Sequence, residues 1–257
     1  MAATRTYKLR AVVLRKTKLG EKDLIITMLG ENGELLRAVA KGARKPGGSL
    51  AARVELFSTL DCMLAKGKSL DVLAEARFAP QAASRSFDLE QSTCASSVAE
   101  LLCTVAQEGL EHPRLFAMAD ASFATIASSS PAGALAVTAA TLLKVLASAG
   151  FRPSLDTCVS CGNPLPAPVA GSWMSVSFED GGVVCADCAI HANGVPVEST
   201  TVGWAKVLLY TTYSDIVALN VPTAASFSVL QFARQWARTH TGRDLKSLDF
   251  LFTSGLF

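Results

Sequence analysis

The sequence is poor in histidine and in the motifs that accompany nucleophilic catalysis. It has three histidines, His112, His191 and His240, and no serine in a Gly-x-Ser-x-Gly context. A nucleophilic serine needs a base within hydrogen-bond reach, and that context marks one large class of hydrolases. Gly67-Lys68-Ser69 resembles the end of a phosphate-binding loop, but the first glycine of that motif would fall at Cys62. The sequence therefore predicts no enzyme activity and no small-molecule substrate.

Long apolar runs are also lacking. The longest charge-free run, residues 121–143, is interrupted by three serines, Pro131 and Gly133. A membrane-crossing helix needs about 20 predominantly apolar residues, so this run predicts two buried helices with a break. The first eight residues lead into charged positions without the apolar stretch of a secretory signal. The seven cysteines, an odd number, fit a secreted disulfide scaffold poorly. We expect a cytoplasmic protein without membrane contact.

Charge of both signs is present, but it is unevenly placed. The formal net charge is +2, whereas residues 1–60 contain 12 Lys+Arg against 5 Asp+Glu, and the remainder contains 12 against 17. The first part is therefore +7 and the rest −5. Such asymmetry suggests that the N-terminal part faces a polyanion. A basic surface that is merely solvated stays the alternative at this point.

The first 80 residues have the pattern of strands. Asn32-Gly33 between two apolar runs is a strong hairpin signal, and apolar residues alternate over residues 54–64 and 70–78. With the N-terminal run this predicts five strands, at residues 7–16, 23–29, 34–41, 54–64 and 70–78. Five strands in this length suit a small Greek-key barrel of the OB type, whose groove often binds single strands.

The pattern changes to helical after Pro80. Apolar residues recur at helical spacing over residues 98–105, 135–149, 204–213 and 226–240, and Gly150 stands where a C-terminal cap belongs. We therefore predict an α+β fold. An OB-fold barrel in residues 1–80 precedes an α-helical domain in residues 81–257, which carries an inserted four-cysteine zinc finger at about residues 156–192.

Four cysteines of that insert form two Cys-x-x-Cys pairs, Cys158 with Cys161 and Cys185 with Cys188. Two intervening residues let a tight turn aim both thiolates at one ion, and two such turns complete the tetrahedron that Zn²⁺ prefers. The alternatives are a redox pair and unliganded buried thiols, although two matched pairs in a turn-rich insert favour a structural Zn²⁺ over a redox site. His191 could replace one ligand, but we interpret it as a surface residue.

The basic residues of the predicted barrel are candidate nucleic-acid contacts. Arg37 and Lys41 lie four apart on one face of a strand, roughly 13 Å from each other at about 3.3 Å per residue. The glycine-rich loop 42–49 follows. Few aromatic residues accompany these cations, which favours phosphate contacts over base stacking. The predicted contacts are Lys8, Arg10, Arg15, Lys16, Lys18, Arg37, Lys41, Arg44 and Lys45.

Several segments resemble the family of the bacterial recombination mediator RecO. The resemblance extends over nearly the whole chain, and its more specific parts are residues 40–45 and the approach to the first cysteine pair. The segments are residues 19–24 (LGEKDL), Gly33, residues 39–45 (VAKGARK), 146–150, 151–161 (FRPSLDTCVSC), Phe178, residues 181–185 (GGVVC), Cys188 and residues 245–251 (LKSLDFL).

The resemblance implies an N-terminal OB fold, a helical domain with a zinc finger, and no catalysis. It further implies binding to single- and double-stranded DNA in the nucleoid, annealing of complementary strands, and partnership with RecR in loading RecA onto DNA coated by single-strand-binding protein (SSB). Members of the family also dock the acidic C-terminal tail of SSB on the helical domain. Arg234 and Arg238, four apart on one predicted helix, are candidates for that contact by charge alone.

Two other classes of protein stay open at this point. One is a different zinc-ribbon nucleic-acid-binding accessory protein of transcription or translation. Annealing of SSB-coated strands would separate it from a recombination mediator. The other is a zinc hydrolase, which zinc held by all four cysteines would exclude because no coordination position is left for a catalytic water.

Overall fold

Five strands close into a barrel at the N-terminal end of the chain. A computed structural model describes residues 6–45, 47–48, 50–80 and 85–257. The strand order is β1-β2-β3-β5-β4, with β3 and β5 parallel and the other neighbours antiparallel. This closed barrel is OB-like, as the sequence predicts. The strands are β1 (Thr6–Leu19), β2 (Asp23–Gly30), β3 (Leu35–Ala40), β4 (Thr59–Ala65) and β5 (Asp71–Phe78).

Strand β1 is long enough to pair with two neighbours, and its two faces meet different cores. Its first half pairs with β4 and its second half with β2. Ala11 and Val13 point into the barrel core, whereas Val12 and Leu14 pack in the cluster that the helices form. The alternation of side chains along a strand therefore joins the barrel to the rest of the chain.

The fourth strand begins later than the sequence predicts. The apolar alternation from Val54 suggested a strand over residues 54–64, but β4 starts at Thr59. Val54 instead closes a turn by donating its backbone N–H to Leu50 O at 3.1 Å. Phe57 has a φ of +64°, a left-handed conformation that ends any extended run. The segment Lys66–Ser69 connects two antiparallel strands, so it is a hairpin turn and not a phosphate-binding loop.

Helices form most of the remaining chain. Helix α3 lies at the centre and contacts α1, α2, α5, α6 and α7. The Ser-Pro break separates α2 from α3 as predicted, and Ser130 caps α3 by accepting the Gly133 N–H at 3.3 Å. The helices are α1 (Leu89–Val105), α2 (Pro113–Ser128), α3 (Pro131–Ser148), α4 (Ala186–Ala189), α5 (Ser199–Tyr210), α6 (Tyr213–Ala218), α7 (Thr223–Thr241) and α8 (Lys246–Thr253).

Helix α3 is also the one described helix that is long and apolar enough to span a bilayer. Two-thirds of it, 67%, is buried inside the fold, and five other helices surround it. Its hydrophobicity is therefore explained by its position in the core.

An aromatic cluster fixes the barrel to the helices. Phe57, between the barrel strands, packs against Phe87 and against Phe123 of α2, with ring centroids 5.3 and 5.2 Å away. All three rings belong to the core that the helices build. Burying this ring stabilises the junction by about 1.5–3 kcal/mol, which offsets the strain of its left-handed backbone.

Polar contacts complete the junction between barrel and helices. Asp120 of α2 accepts hydrogen bonds from Arg85 at 2.9 Å and from the Thr59 hydroxyl at 2.5 Å. Gly33 lies against the backbone of His112, and a Cβ placed there would come within 2.0 Å of His112 O. Only glycine allows this approach, which gives Gly33 a role in packing besides its place in the predicted hairpin turn.

The cysteine-containing insert has a small sheet of its own. Its strands are β6 (Trp173–Ser177), β7 (Gly182–Val184) and β8 (Val195–Glu198), in the order β7-β6-β8. Strand β8 extends the sheet past residue 192, the approximate end of the insert in the sequence interpretation. Phe178 at the end of β6 packs on Phe232 and Trp236 of α7, with centroids 5.5 and 5.7 Å away. The insert is therefore attached to the helical core.

Candidate functional site

The four paired cysteines converge at one point. The Sγ atoms of Cys158, Cys161, Cys185 and Cys188 all lie within 4.8 Å of one another. Cys161 Sγ and Cys185 Sγ are 3.8 Å apart, which is about the edge of a tetrahedron with metal–sulfur bonds of about 2.3 Å. His191 is exposed and is not part of the cluster. The donor set and its geometry are compatible with a zinc ion.

Two different local structures present these thiols. In the first pair, Gly162 takes a left-handed φ of +76° and donates its N–H to Cys158 O at 2.9 Å, while Cys158 donates to Asn163 O at 2.8 Å. In the second pair, Cys185 is the N-cap of α4 and Cys188 lies in its only turn. A tight turn and a helix start therefore face each other across the cluster.

The electrostatics of the four thiols differ within the cluster. The backbone N–H of Cys185 donates to Cys158 Sγ at 3.3 Å, and this hydrogen bond is the main cause that lowers the pKa of Cys158 to about 6. The thiols of Cys185 and Cys161 raise the pKa of Cys188 to about 12. With the pKa of Cys188 raised in this way, the four thiols become four thiolates at neutral pH only around a cation. A bound metal ion has this effect, since it deprotonates its thiol ligands outright.

Cations gather at the end of the barrel where β1 turns into β2. Lys18 is in register with Leu24, which pairs with Ala40, so the turn lies beside the loop that follows β3. The Arg44 N–H donates to Lys22 O at 3.0 Å, and its guanidinium donates to Gly20 O at 2.6 Å. We call this surface the basic rim, consisting of Lys18, Lys22, Lys41, Arg44 and Lys45, all exposed.

The loop of the basic rim is braced where the structure describes it. Besides the bonds of Arg44, the Gly42 N–H donates to the Asp23 carboxylate at 2.7 Å. Pro46 and Ser49 of the predicted loop 42–49 lie outside the described residues. Lys22 was not among the predicted contacts. The sequence alone gave little reason to select Lys22, because it lies in a Gly-Glu-Lys-Asp turn without a recognisable motif. Its place in the basic rim depends on the loop after β3, which the fold brings beside it.

Two further predicted contacts lie side by side on the outer face of the barrel. Arg15 of β1 is in register with Thr27 of β2, and Thr27 is in register with Arg37 of β3. Adjacent strands lie about 4.8 Å apart, so the two arginines stand roughly 10 Å from each other. Lys41 is on the same face of the chain as Arg37, four residues on. The row therefore leads from Arg15 toward the basic rim.

The remaining predicted contacts are separated from the rim or paired with acids. Arg10 forms an ion pair with Asp61 of β4 at 2.8 Å, and Lys16 forms one with Glu55 at 3.0 Å. Lys8 lies on β1 opposite Met63, on the β4 side of the strand. The buried side chains of Val12 and Leu14, which pack against the helices, lie between this end of β1 and Arg15. The structure thus separates Lys8 and Arg10 from Arg15 and the basic rim, and it pairs Lys16 with an acid.

The two arginines proposed from charge for the tail of SSB are engaged within the chain. Arg234 of α7 pairs with Asp249 of α8 at 2.5 Å and lies 4.0 Å from Asp244. Arg238 lies 3.8 Å from Asp244. An incoming carboxylate at either guanidinium competes with these two aspartates.

A second group of cations lines a groove between α2, α3 and α5. Arg114, Lys144 and Arg152 surround a floor that includes Leu209 and Tyr210, and the groove has a volume of about 460 Å³. Lys144 donates to Leu209 O at 2.8 Å, and burial lowers the pKa of its ammonium group. Arg152 donates to the Tyr210 hydroxyl at 2.6 Å. Among the residues that the structure describes, no carboxylate lines this cationic groove.

The members of the cationic groove come from separate elements, so no pattern in the sequence indicated it. Arg114 begins α2, Lys144 lies in α3, and Arg152 follows α3. No periodicity along the chain relates residues that tertiary packing alone brings together.

Comparison with known proteins assigns this arrangement to a family. The sequence model of the family described as "Recombination protein O N terminal" matches residues 1–81. The one described as "Recombination protein O C terminal" matches residues 86–249. The chain belongs to the RecO family. The resemblance noted in the sequence is thereby confirmed, as is the combination of an OB-like barrel, helices and a four-cysteine cluster.

RecO relatives from distant bacteria align with most of the chain. The "DNA repair protein RecO" of Synechococcus elongatus is 37% identical over 255 residues, which cover 97% of this chain and 96% of the relative. That of Frankia casuarinae is 32% identical over 248 residues, covering 95% and 98%. That of Desulfitobacterium hafniense is 34% identical over 191 residues, covering 74% and 67%. The family is thus one of DNA repair proteins, which favours repair over transcription or translation.

Proposed function

We propose that this protein is a recombination mediator that binds single- and double-stranded DNA through the basic rim and the Arg15–Arg37 row. In this role it anneals complementary strands and, with RecR, helps to load RecA onto SSB-coated DNA. It catalyses no reaction, and it is located at the nucleoid in the cytoplasm. The observation that carries the proposal is the convergence of five exposed cations at one end of an OB-like barrel in a RecO-family chain. Such a surface binds phosphates without reading sequence.

The proposed division of labour follows the charge of the chain. Residues 1–80 bind DNA, whereas residues 81–257, with the insert at about 156–192, bind protein partners. Val12, Leu14, Leu29 and Phe57 of the barrel belong to the core that the helices form. An isolated fragment of 80 residues exposes these side chains to water, so experiments on DNA binding are best made with the full chain.

We assign zinc to the four-cysteine cluster, as a structural ion. Four thiolates are the donor set of closed zinc sites, and the 3.8 Å between Cys161 Sγ and Cys185 Sγ suits that ion. Zinc would be held by Cys158, Cys161, Cys185 and Cys188 and would supply cross-linking of the two turns. It leaves no open coordination position.

Annealing of SSB-coated strands is the experiment that tests the mediator function. We expect the protein to accelerate pairing of complementary oligonucleotides saturated with SSB, because it binds both the DNA and the protein that coats it. The readout is the fluorescence of a donor–acceptor pair on the two strands. Binding of bare DNA without acceleration of annealing on SSB-coated strands would contradict the mediator function and leave only DNA binding.

We further propose that the cationic groove receives the acidic tail of SSB. Arg114, Lys144 and Arg152 offer positive charge without a lining carboxylate, and Leu209 and Tyr210 provide an apolar floor. Charge-assisted hydrogen bonds to carboxylates are the stronger kind. Arg234 and Arg238, the residues chosen from the sequence, stay the alternative site, at which the tail must displace Asp244 and Asp249.

The two sites for the tail are separable by paired variants. The double variant Arg114→Ala with Arg152→Ala is expected to weaken binding of a labelled tail peptide at least tenfold. A tenfold loss of affinity corresponds to roughly 1.4 kcal/mol of binding free energy. Lys144 is left in place because its bond to Leu209 O is internal to the fold. Arg234→Ala with Arg238→Ala is the matched control, expected to change the affinity less than twofold. The reverse pattern in the titration would place the tail at Arg234 and Arg238 instead.

A further inference from the structure

The insert and its flanks are free of positive charge. Residues 153–205 contain no lysine or arginine, and they contain the carboxylates Asp156, Glu179, Asp180, Asp187 and Glu198. A zinc ion with four thiolate ligands adds a net charge of about −2. Asp156 is paired with Lys206 of α5, and the other carboxylates leave the insert net acidic, the opposite of the basic rim.

Exposed apolar side chains accompany these acids at one end of the small sheet. Trp173 is 69% exposed and Ile190 is 80% exposed. Trp173 is directly opposite Glu198 in the β6–β8 register, so the two side chains share a face. Strand β7 runs back toward Trp173, and α4 with Asp187 follows it. We call this surface the tryptophan patch, consisting of Trp173 and Glu198.

An exposed indole beside carboxylates is suited to bind a cation. A lysine or arginine over the face of a tryptophan gains about 0.5–1 kcal/mol at an exposed site. Most large exposed apolar groups need no explanation singly, but here an exposed indole lies directly opposite a carboxylate, in a segment without lysine or arginine.

The basic rim and the tryptophan patch belong to two sheets that are attached to different helices. Strand β1 of the barrel contacts α1 and α2, whereas the small sheet contacts α5 and Phe178 packs on α7. Helix α3 lies between these two pairs of helices. The barrel and the small sheet are thus held by different helices, and the two complementary surfaces are available to meet between two chains.

We propose that the tryptophan patch of one copy binds the basic rim of a second copy. The contact places Lys41 or Arg44 of the second copy over the Trp173 ring and beside Glu198. It is heterologous, so it leaves a free rim and a free patch and can extend to chains longer than two. Because DNA binds the same rim under the proposed function, DNA dissociates the assembly, and self-association holds the protein in a state that releases DNA.

Sedimentation velocity of the full-length, zinc-loaded protein tests the proposal. We expect the protein to associate more strongly as its concentration increases. Salt of about 0.5 M should abolish the association, because the Debye length then falls to a few ångströms. A 20-nucleotide single strand should reverse it. Trp173→Ala with Glu198→Gln should weaken the association at least tenfold. The matched control is Leu110→Ala with Glu111→Gln, an exposed apolar–acidic pair in the loop before α2, and it should associate as the unmodified chain does.

A charge exchange gives a second arm in which loss of folding cannot imitate the result. Glu198→Lys and Lys41→Glu should each weaken association when alone. An equal mixture of the two variants should restore it, because each rim then meets a patch of opposite charge.

The outcomes separate this proposal from the DNA function on which it partly rests. If the chain stays monomeric at low salt, the proposed self-association is wrong, even where rim variants lose their affinity for DNA. Binding of an oligolysine peptide to Trp173 by such a monomer also overturns it and points to a basic partner protein. If association depends on Trp173 but the Lys41→Glu variant binds DNA normally, self-association is supported and the DNA function of the rim is contradicted.

Discussion

Alanine at Arg37, Lys41, Arg44 and Lys45 together is expected to lower the affinity for DNA on the order of 100- to 1,000-fold at 0.1 M salt. If each cation neutralises one phosphate, the slope of log affinity against log salt falls by about 3–4. The loss should be similar for different sequences, because phosphate contacts carry no sequence information. The measurement is a fluorescence anisotropy titration of a labelled oligonucleotide at several salt concentrations.

The matched control is alanine at Lys8 and Arg10, on the other surface of the barrel. Arg10 is already paired with Asp61 at 2.8 Å, so this variant should change the slope by less than about 1. Arg44 also donates to Gly20 O, so the thermal transition of the quadruple variant needs to match that of the control. An unchanged slope in the quadruple variant would show that the DNA binds elsewhere, and a large change in the control would place it on the surface of Lys8 and Arg10.

Cys158→Ser is expected to abolish stoichiometric zinc binding and to unfold the insert locally. Three thiolates cannot close the tetrahedron. In isolated zinc fingers, zinc binding supplies about 10–16 kcal/mol of free energy that stabilises the fold. The barrel and most of the helical core should stay folded, since the insert contributes only Leu155, Val176, Phe178 and Val183 to the buried residues of that core. The measurements are the zinc content per chain, expected to fall from about one to near zero, and proteolysis within residues 159–172.

Cys103→Ser serves as the control for a cysteine variant, because Cys103 is half-buried against the helical core and outside the cluster. It should retain zinc and resist proteolysis of the insert. Replacement of zinc by Co²⁺ offers a spectroscopic check, since four thiolates give a tetrahedral cobalt centre with visible absorption. A protein that is purified without metal and is as resistant to proteolysis as a zinc-treated sample would contradict the zinc assignment.

The insert illustrates what short-range pattern can predict. Two Cys-x-x-Cys pairs require each pair to form its own turn, and the four-cysteine cluster follows once the turns meet. The break between α2 and α3 was equally local, because Pro131 can begin a helix but cannot continue one, and Ser130 caps it. The barrel followed from alternation of apolar residues, with an error at residues 54–58 where a left-handed Phe57 overrides that alternation.

The surfaces proposed to bind partners were decided by the tertiary structure. The sequence grouped nine cations by proximity along the chain, but the register of β1 separates Lys8 and Arg10 from the basic rim. It also singled out Arg234 and Arg238, whose carboxylate partners come from α8, and it missed the groove of Arg114, Lys144 and Arg152. By itself, the sequence determined the fold class and the four-cysteine cluster, because both depend on residues a few positions apart. The faces and pairing of its charges depend on the register of strands and the packing of helices, which bring distant residues together.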